Sequence, residues 1–251
     1  MKKVFMEEMS WQEIQDAKEQ GADTVLICAA SQEQHGPHMA ENTDYVLGRA
    51  AYGEVAKRLG NALVAPVIRP GLSGHHMAFP GSLTLRPEIF RGIVEDYVDA
   101  YVKQGFKKIL LGSSHGGNFA MMEELAGELD ARYPGAAVSC VMSLQDFMDV
   151  CEESERMFRL PVGSCGGHAC CFETSIMLYL VPESVDMNRA VCGYMGTGRE
   201  EAAEKLLKNG MKGLSENGIL GDSACADADM GKAFLELLCE KIYHRIREKT
   251  I

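Results

Sequence analysis

The stretch "DTVLICAASQEQHGPHMAENTD", residues 23–44, decides the fold. Residues 23–30 are short, apolar and rich in β-branched side chains, which is how a strand buried on both faces of a parallel sheet reads. A polar loop follows at once, carrying Glu33, His35, His38, Glu41 and Asp44. In an open α/β sheet, ligands bind in the crevice beyond the carboxyl ends of the strands. The position of the loop is therefore as informative as its composition.

The same alternation continues on both sides of this stretch. Upstream, Ser10 and Glu13 stand at capping-box spacing and Gly21 supplies a stop, predicting a helix over 11–20. Downstream, Val46, Leu47, Ala50, Ala51, Val55 and Leu59 share one side of a helix over 44–59 that ends at Gly60. "ALVAPVI" (62–68) reads as a second strand. After a glycine-rich loop and "SLTL" (82–85), Pro87 opens a helix running to about Gln104. "KKILLGSS" (107–114) is a third buried strand, leading through "HGGN" into a helix over 119–131, and "AAVSCVMSL" (136–144) reads as a fourth. Further helices are expected over 173–181, 199–208 and 230–248. Strands alternating with helices at this spacing predict βαβ units in a three-layer α/β/α sandwich with a mostly parallel central sheet. No repeat, low-complexity run or linker interrupts residues 1–251, so a single domain is expected.

The chain of 251 residues carries a formal net charge of −11, which argues against sequence-independent nucleic-acid binding and against docking on an anionic membrane surface. No apolar run approaches the roughly 20 residues needed to span a bilayer. Nine cysteines occur with no signal-peptide pattern at the start, predicting a cytoplasmic protein with free thiols.

The residues suited to chemistry gather at predicted strand ends. Glu33 and His35, two residues apart in an extended segment, project to the same side, and Asp44 opens the next helix. His75 and His76 lie in the loop after the second strand and His115 directly after the third, while His168 and Glu173 precede or open another helix. Of the seven histidines, only His244 sits on an ordinary helix. Each item alone has an ordinary reading, as solvated loop or as a hydrogen-bonded cap. Together they supply the mixed nitrogen and oxygen ligands that suit Zn²⁺, Mn²⁺ or Fe²⁺, and Asp44 could bridge two ions with its two oxygens. No serine stands in a G-x-S-x-G elbow, which disfavours a serine hydrolase. Cys165, Cys170 and Cys171 flank His168. They read as packing thiols, with a Cys-His nucleophile as the alternative.

Four segments, "EQHGPHMAENTD", "GHHMAFPGSLTL", "SSHGGN" and "GGHACCFETS", together resemble the creatininase (creatinine amidohydrolase) family over nearly the whole chain. The resemblance implies two divalent metal ions, Zn²⁺ and/or Mn²⁺, with Fe²⁺ as a further option. Their implied ligands are Glu33, His35, Asp44 as the bridge, His115 and Glu173. Where creatininase itself places a glutamate shortly after the "HGGN" histidine, this chain has Gly117. The resemblance also implies that His168 is catalytic, acting as the acid that protonates a departing nitrogen, with Glu173 as ligand or general base. His75, His76, Gly116 and Gly117 are expected near the substrate. Creatininase encloses the flat creatinine ring with tryptophans, but the single tryptophan here is Trp11, far from every motif; the matching positions fall near Gln145 and Ser164. Loss of the stacking surface argues against creatinine and for a more polar substrate. The implied function is hydrolysis of a non-peptide C–N bond in a small cyclic amide or formamide. Two alternatives stand beside it: C–C bond opening of a polyhydroxylated cyclic ketone such as a dehydro-inosose, and a non-catalytic ligand-binding protein on the same scaffold. The family also implies a homo-oligomer, a hexamer.

Overall fold

The computed structural model describes residues 3–196 and 199–249. Four parallel strands form the sheet, in the order β2-β1-β3-β4: β1 is Thr24–Ala29, β2 Ala62–Val64, β3 Lys108–Ser113 and β4 Ala137–Cys140. β1 is central. Thr24 is in register with Ala62 on one side and Lys108 on the other, so the carboxyl ends of β1 and β3 finish level at Ala29 and Ser113. Every residue of β1 is buried, as its unbroken apolar character requires.

The strands alternate their side chains between two cores. Leu26, Cys28 and Leu110 pack against α2 (Thr43–Leu59), α5 (Leu144–Phe158), α6 (Cys171–Leu180) and α8 (Ala228–Lys249), through Leu47, Tyr52, Phe147, Phe172, Phe234 and Ile242 among others. Val25, Ile27, Ile109 and Leu111 face α1 (Trp11–Glu19), α3 (Pro87–Lys103) and α4 (Phe119–Arg132), through Ala17, Phe90, Val94, Met122 and Leu129. This is the three-layer sandwich that the alternation of elements predicts. The Ser10–Glu13 capping box opens α1 as expected, with Glu13 N donating to Ser10 Oγ at 3.2 Å.

Departures have local causes. The second strand is shorter than 62–68 because Pro66 has no N–H for the ladder; beyond it, Ile68 rejoins β1 by donating its N–H to Cys28 O at 3.0 Å. The fourth strand stops at Cys140, and 144–158, not read as a helix from the sequence, forms α5. Its start is a capping box in which Asp146 N donates to Ser143 Oγ at 3.1 Å and Asp146 Oδ2 accepts from Ser143 N at 3.1 Å. Lys241 of α8 then reaches Asp146 Oδ1 at 3.1 Å, tying α5 to the last helix. The helix expected over 199–208 runs on as α7 (Arg199–Leu214), broken at Gly210, where φ is 69°. No helix among the described residues is long and apolar enough to cross a membrane.

The packing of α6 on α8 fixes where Glu173 can stand. It depends on Gly231, where an added Cβ would sit 1.8 Å from the Ser175 carbonyl oxygen of α6. A helix backbone cannot yield as a side chain can. Gly231→Ala should therefore destabilise the fold by about 3 kcal/mol, the upper end of the usual cost of overpacking, read as a shift in the denaturant midpoint.

Candidate metal centre

Separate chain segments deliver one cluster. Glu33 and His35 follow β1, Asp44 lies in the first turn of α2, His115 follows β3, and Glu173 lies in the first turn of α6. All five are buried, none more than 3% exposed. Asp44 sits between the two imidazoles: its Oδ1 is 3.2 Å from His35 Nε2 and its Oδ2 is 3.4 Å from His115 Nδ1. Glu33 Oε1 lies 3.2 Å from His115 Nδ1, and Glu173 Oε2 lies 3.8 Å from His35 Nε2. The cluster thus has two halves, Glu33 with His115 and His35 with Glu173, joined through Asp44.

The backbone aims both rings. His35 Nδ1 lies 3.1 Å from the Glu33 carbonyl oxygen and His115 Nε2 lies 3.2 Å from the Leu72 carbonyl oxygen. A carbonyl can only accept, so each neutral ring places its hydrogen there and turns its lone pair on the carboxylates. A hydrogen bond from the far ring nitrogen to a carbonyl sets the tautomer of metal-binding histidines. Lone pairs facing carboxylate oxygens repel unless a cation stands between them. Glu33 Oε1 and Oε2, His35 Nε2 and Asp44 Oδ2 are in fact buried without a hydrogen-bond partner. These orphaned atoms, and the nitrogen and oxygen donor set, fit divalent cations.

Without a cation, protons take that place. Burial disfavours the His35 imidazolium, but Asp44, Glu173 and Glu33 together push the ring up to about 10. Burial likewise opposes the His115 cation, and Glu33 and Asp44 carry it well above its ordinary value. Glu33 is held well below the carboxylate range: burial would raise it, and His115 leads the imidazoles that outweigh burial. Burial, with Asp44 and Glu33 adding to it, pushes Glu173 up to about 7 against the pull of His35.

Other predicted residues border this core. His168 is 7% exposed and its Nδ1 lies 3.6 Å from Glu33 Oε1. Burial, reinforced by His35 and His76, depresses it well below its ordinary value, so the ring is neutral. The residue after it, Ala169, adopts a left-handed conformation (φ 52°), and its N–H donates to Glu173 Oε2, which couples the two side chains through one tight turn. His76, expected only to line the cleft, is buried with Nε2 3.3 Å from Glu33 Oε1. His75 stacks on His115 with ring centroids 5.7 Å apart. At Gly117 a Cβ would meet Leu72 O at 2.3 Å and His115 Nε2 at 2.5 Å, so glycine is needed there; at Gly116 the space is open.

Gln145 and Ser164 lie apart from the cluster in their described bonds. Gln145 is exposed in the first turn of α5 and donates to Asp149 Oδ1 at 2.7 Å. Ser164 is fully buried, and its carbonyl accepts from Cys171 N at 3.2 Å and Asp222 N at 3.0 Å. The thiols beside His168 are buried, and burial pushes Cys170 up to about 12, which leaves little thiolate for a nucleophilic mechanism. Sequence reasoning passed over Asn118 and Gln34. Asn118 Nδ2 donates to Ala30 O at 3.0 Å and Asn118 Oδ1 accepts from Leu72 N at 2.9 Å, pinning the end of β1 to the loop that aims His115. The position of Asn118 within "HGGN", at a strand-to-helix turn, was the available signal.

Known proteins share this architecture. The creatininase family profile, described as creatinine amidohydrolase, matches residues 7–246. A creatinine amidohydrolase of Pseudomonas putida is 32% identical over 261 residues, covering 99% of this chain and 98% of that protein. A mycofactocin precursor peptide peptidase of Mycolicibacterium smegmatis is 30% identical over 220 residues, covering 85% of this chain and 81% of that protein. A solved structure described as creatininase Mn superposes with a TM-score of 0.82 at 27% identity, covering 98% of each chain. The profile match spans the whole sandwich and every segment that feeds the buried cluster: the chain belongs to the creatininase family of hydrolases.

Proposed function

We propose that this protein is a hydrolase dependent on two divalent cations, Zn²⁺ or Mn²⁺, that cleaves an amide C–N bond. The observation that carries the reading is the cluster itself. Glu33, His35, Asp44, His115 and Glu173 converge with paired nitrogen and oxygen atoms 3.2 to 3.8 Å apart, and atoms of Glu33, His35 and Asp44 are buried there without a hydrogen-bond partner. Glu33, Asp44 and His115 would hold one cation, and His35, Asp44 and Glu173 the other. Cations bound there supply Lewis acidity: they acidify water and offset negative charge developing on an attacked carbonyl oxygen.

The chain's own groups do the rest. An amide nitrogen leaves poorly unless it is protonated, and a group that moves that proton must stand beside the reacting atoms. His168 qualifies, because Nδ1 of its neutral ring faces Glu33 from the edge of the cluster. It takes at Nδ1 the proton that the attacking water gives up and returns it to the departing nitrogen as the C–N bond breaks. Burial of the ligands keeps competing water from the carboxylates and strengthens each charge interaction.

First candidates for substrate are small cyclic amides and formamides. A peptide amide is a second candidate, favoured by the 30% identity to a peptidase. Purified protein assayed against cyclic amides, formamides, short peptides and inososes should turn over one of the amide classes. A chelator should abolish that turnover and added Mn²⁺ or Zn²⁺ restore it. Turnover that survives a chelator and is blocked by a thiol alkylator would replace this reading with a cysteine mechanism; turnover of inososes alone would replace the bond.

A further inference from the structure

Gln34 separates Glu33 from His35 in the sequence and is itself 5% exposed. Two backbone groups fix its amide. Gly36 N, which can only donate, lies 2.9 Å from Oε1; Gly218 O, which can only accept, lies 3.0 Å from Nε2. The amide therefore cannot be flipped. Nε2 is also 2.9 Å from His76 Nδ1 and 2.9 Å from His168 Nε2. It has two hydrogens. One goes to Gly218 O, which leaves one for two imidazoles.

The main chain of the same residue decides between them. Gln34 O lies 2.9 Å from His168 Nε2 and can only accept, so His168 Nε2 carries a hydrogen. The remaining amide hydrogen then goes to His76 Nδ1, which must be a lone pair. A neutral imidazole has one N–H. His76 accordingly keeps its hydrogen on Nε2, 3.3 Å from Glu33 Oε1, while His168 turns a bare Nδ1 toward the same oxygen from 3.6 Å.

We propose that Gln34 is a positioning residue that fixes the tautomers of His76 and His168 together, so that one ring turns an N–H and the other a lone pair toward the Glu33 carboxylate. The proposal rests on the hydrolase reading only for the use made of the two rings: His76 holds Glu33 in place for a cation, and His168 is left free to take a proton. Outer-shell partners of this kind typically change metal affinity or activity 10- to 100-fold when lost.

The test reads the tautomers directly. The full chain, loaded with Zn²⁺ and labelled with ¹⁵N-histidine, is studied by two-bond proton–nitrogen correlation at neutral pH or above. The expected spectrum has the hydrogen of both His76 and His168 on Nε2. Gln34→Glu replaces the amide donor with an acceptor, so His76 should move its hydrogen to Nδ1, whereas His168, held by the main-chain carbonyl, should not change. A hydrogen on Nδ1 of either ring in the unaltered chain, or an unchanged His76 in Gln34→Glu, overturns the proposal. Should Gln34→Glu fail to fold, Gln34→Met removes the donor at similar length. Its Zn²⁺ affinity, measured by competition with a chromophoric chelator, should fall 10- to 100-fold, and an unchanged affinity overturns the proposal. Neither readout needs turnover, so a chain that hydrolyses none of the amides leaves this result standing, and a wrong tautomer leaves the hydrolase reading standing.

Discussion

Asp44→Ala should empty the centre of both cations and lower turnover by about a thousandfold or more, the scale set by several kcal/mol of lost charge stabilisation. The reason is its place between the halves. Asp44 Oδ1 faces His35 and Asp44 Oδ2 faces His115, and no other carboxylate among the described residues pairs with both rings from two oxygens. Truncating Glu33 or Glu173 opens one half; truncating Asp44 opens both. Asp44→Asn is the sharper control, because it keeps the shape and removes the charge. Elemental analysis of the two variants beside the parent protein, with turnover measured on the same samples, checks the prediction. Retention of both cations by Asp44→Ala would show that Asp44 is not the shared ligand.

His168→Ala should have the opposite profile: cations retained, and kcat reduced 10²- to 10⁴-fold, the usual worth of a positioned acid–base group. His168 is attached to the site by Gln34 and by the turn through Ala169. Its Nδ1 approaches Glu33 only to 3.6 Å, whereas His35 and His115 lie 3.2 Å from their nearest carboxylate oxygens. Loss of a cation in His168→Ala would make it a ligand and would leave the departing nitrogen without a proton donor in this account.

The sheet and its ligand-bearing rim were readable because both obey short-range rules. β1 and β3 are continuous apolar runs ending in polar loops, and the ends of parallel strands are where such loops collect. Glu33, His35, Asp44 and His115 could be picked out because ionisable side chains beside buried strands are costly unless they have partners. α5 was missed for a local reason. Val141 and Met142 extend the apolar run of β4, and that run hid the Ser143–Asp146 capping box that ends it. Gln34 was invisible for a different one. It is uncharged, it sits between two ionisable candidates, and its partners at His76, His168 and Gly218 come from loops that only the fold brings near. Nothing in "GHHMAFPG" distinguishes His76, the ring that reaches Glu33, from His75, the one that stacks on His115.

Two cations should occupy the place where Glu33, His35, Asp44, His115 and Glu173 meet. Equilibrium titration of the chelator-stripped full chain with Zn²⁺ or Mn²⁺, with bound metal counted by elemental analysis after removal of excess, tests it most directly. The parent protein should take up two ions per chain and Asp44→Ala none. A parent chain that takes up no ion, or only one, would contradict it.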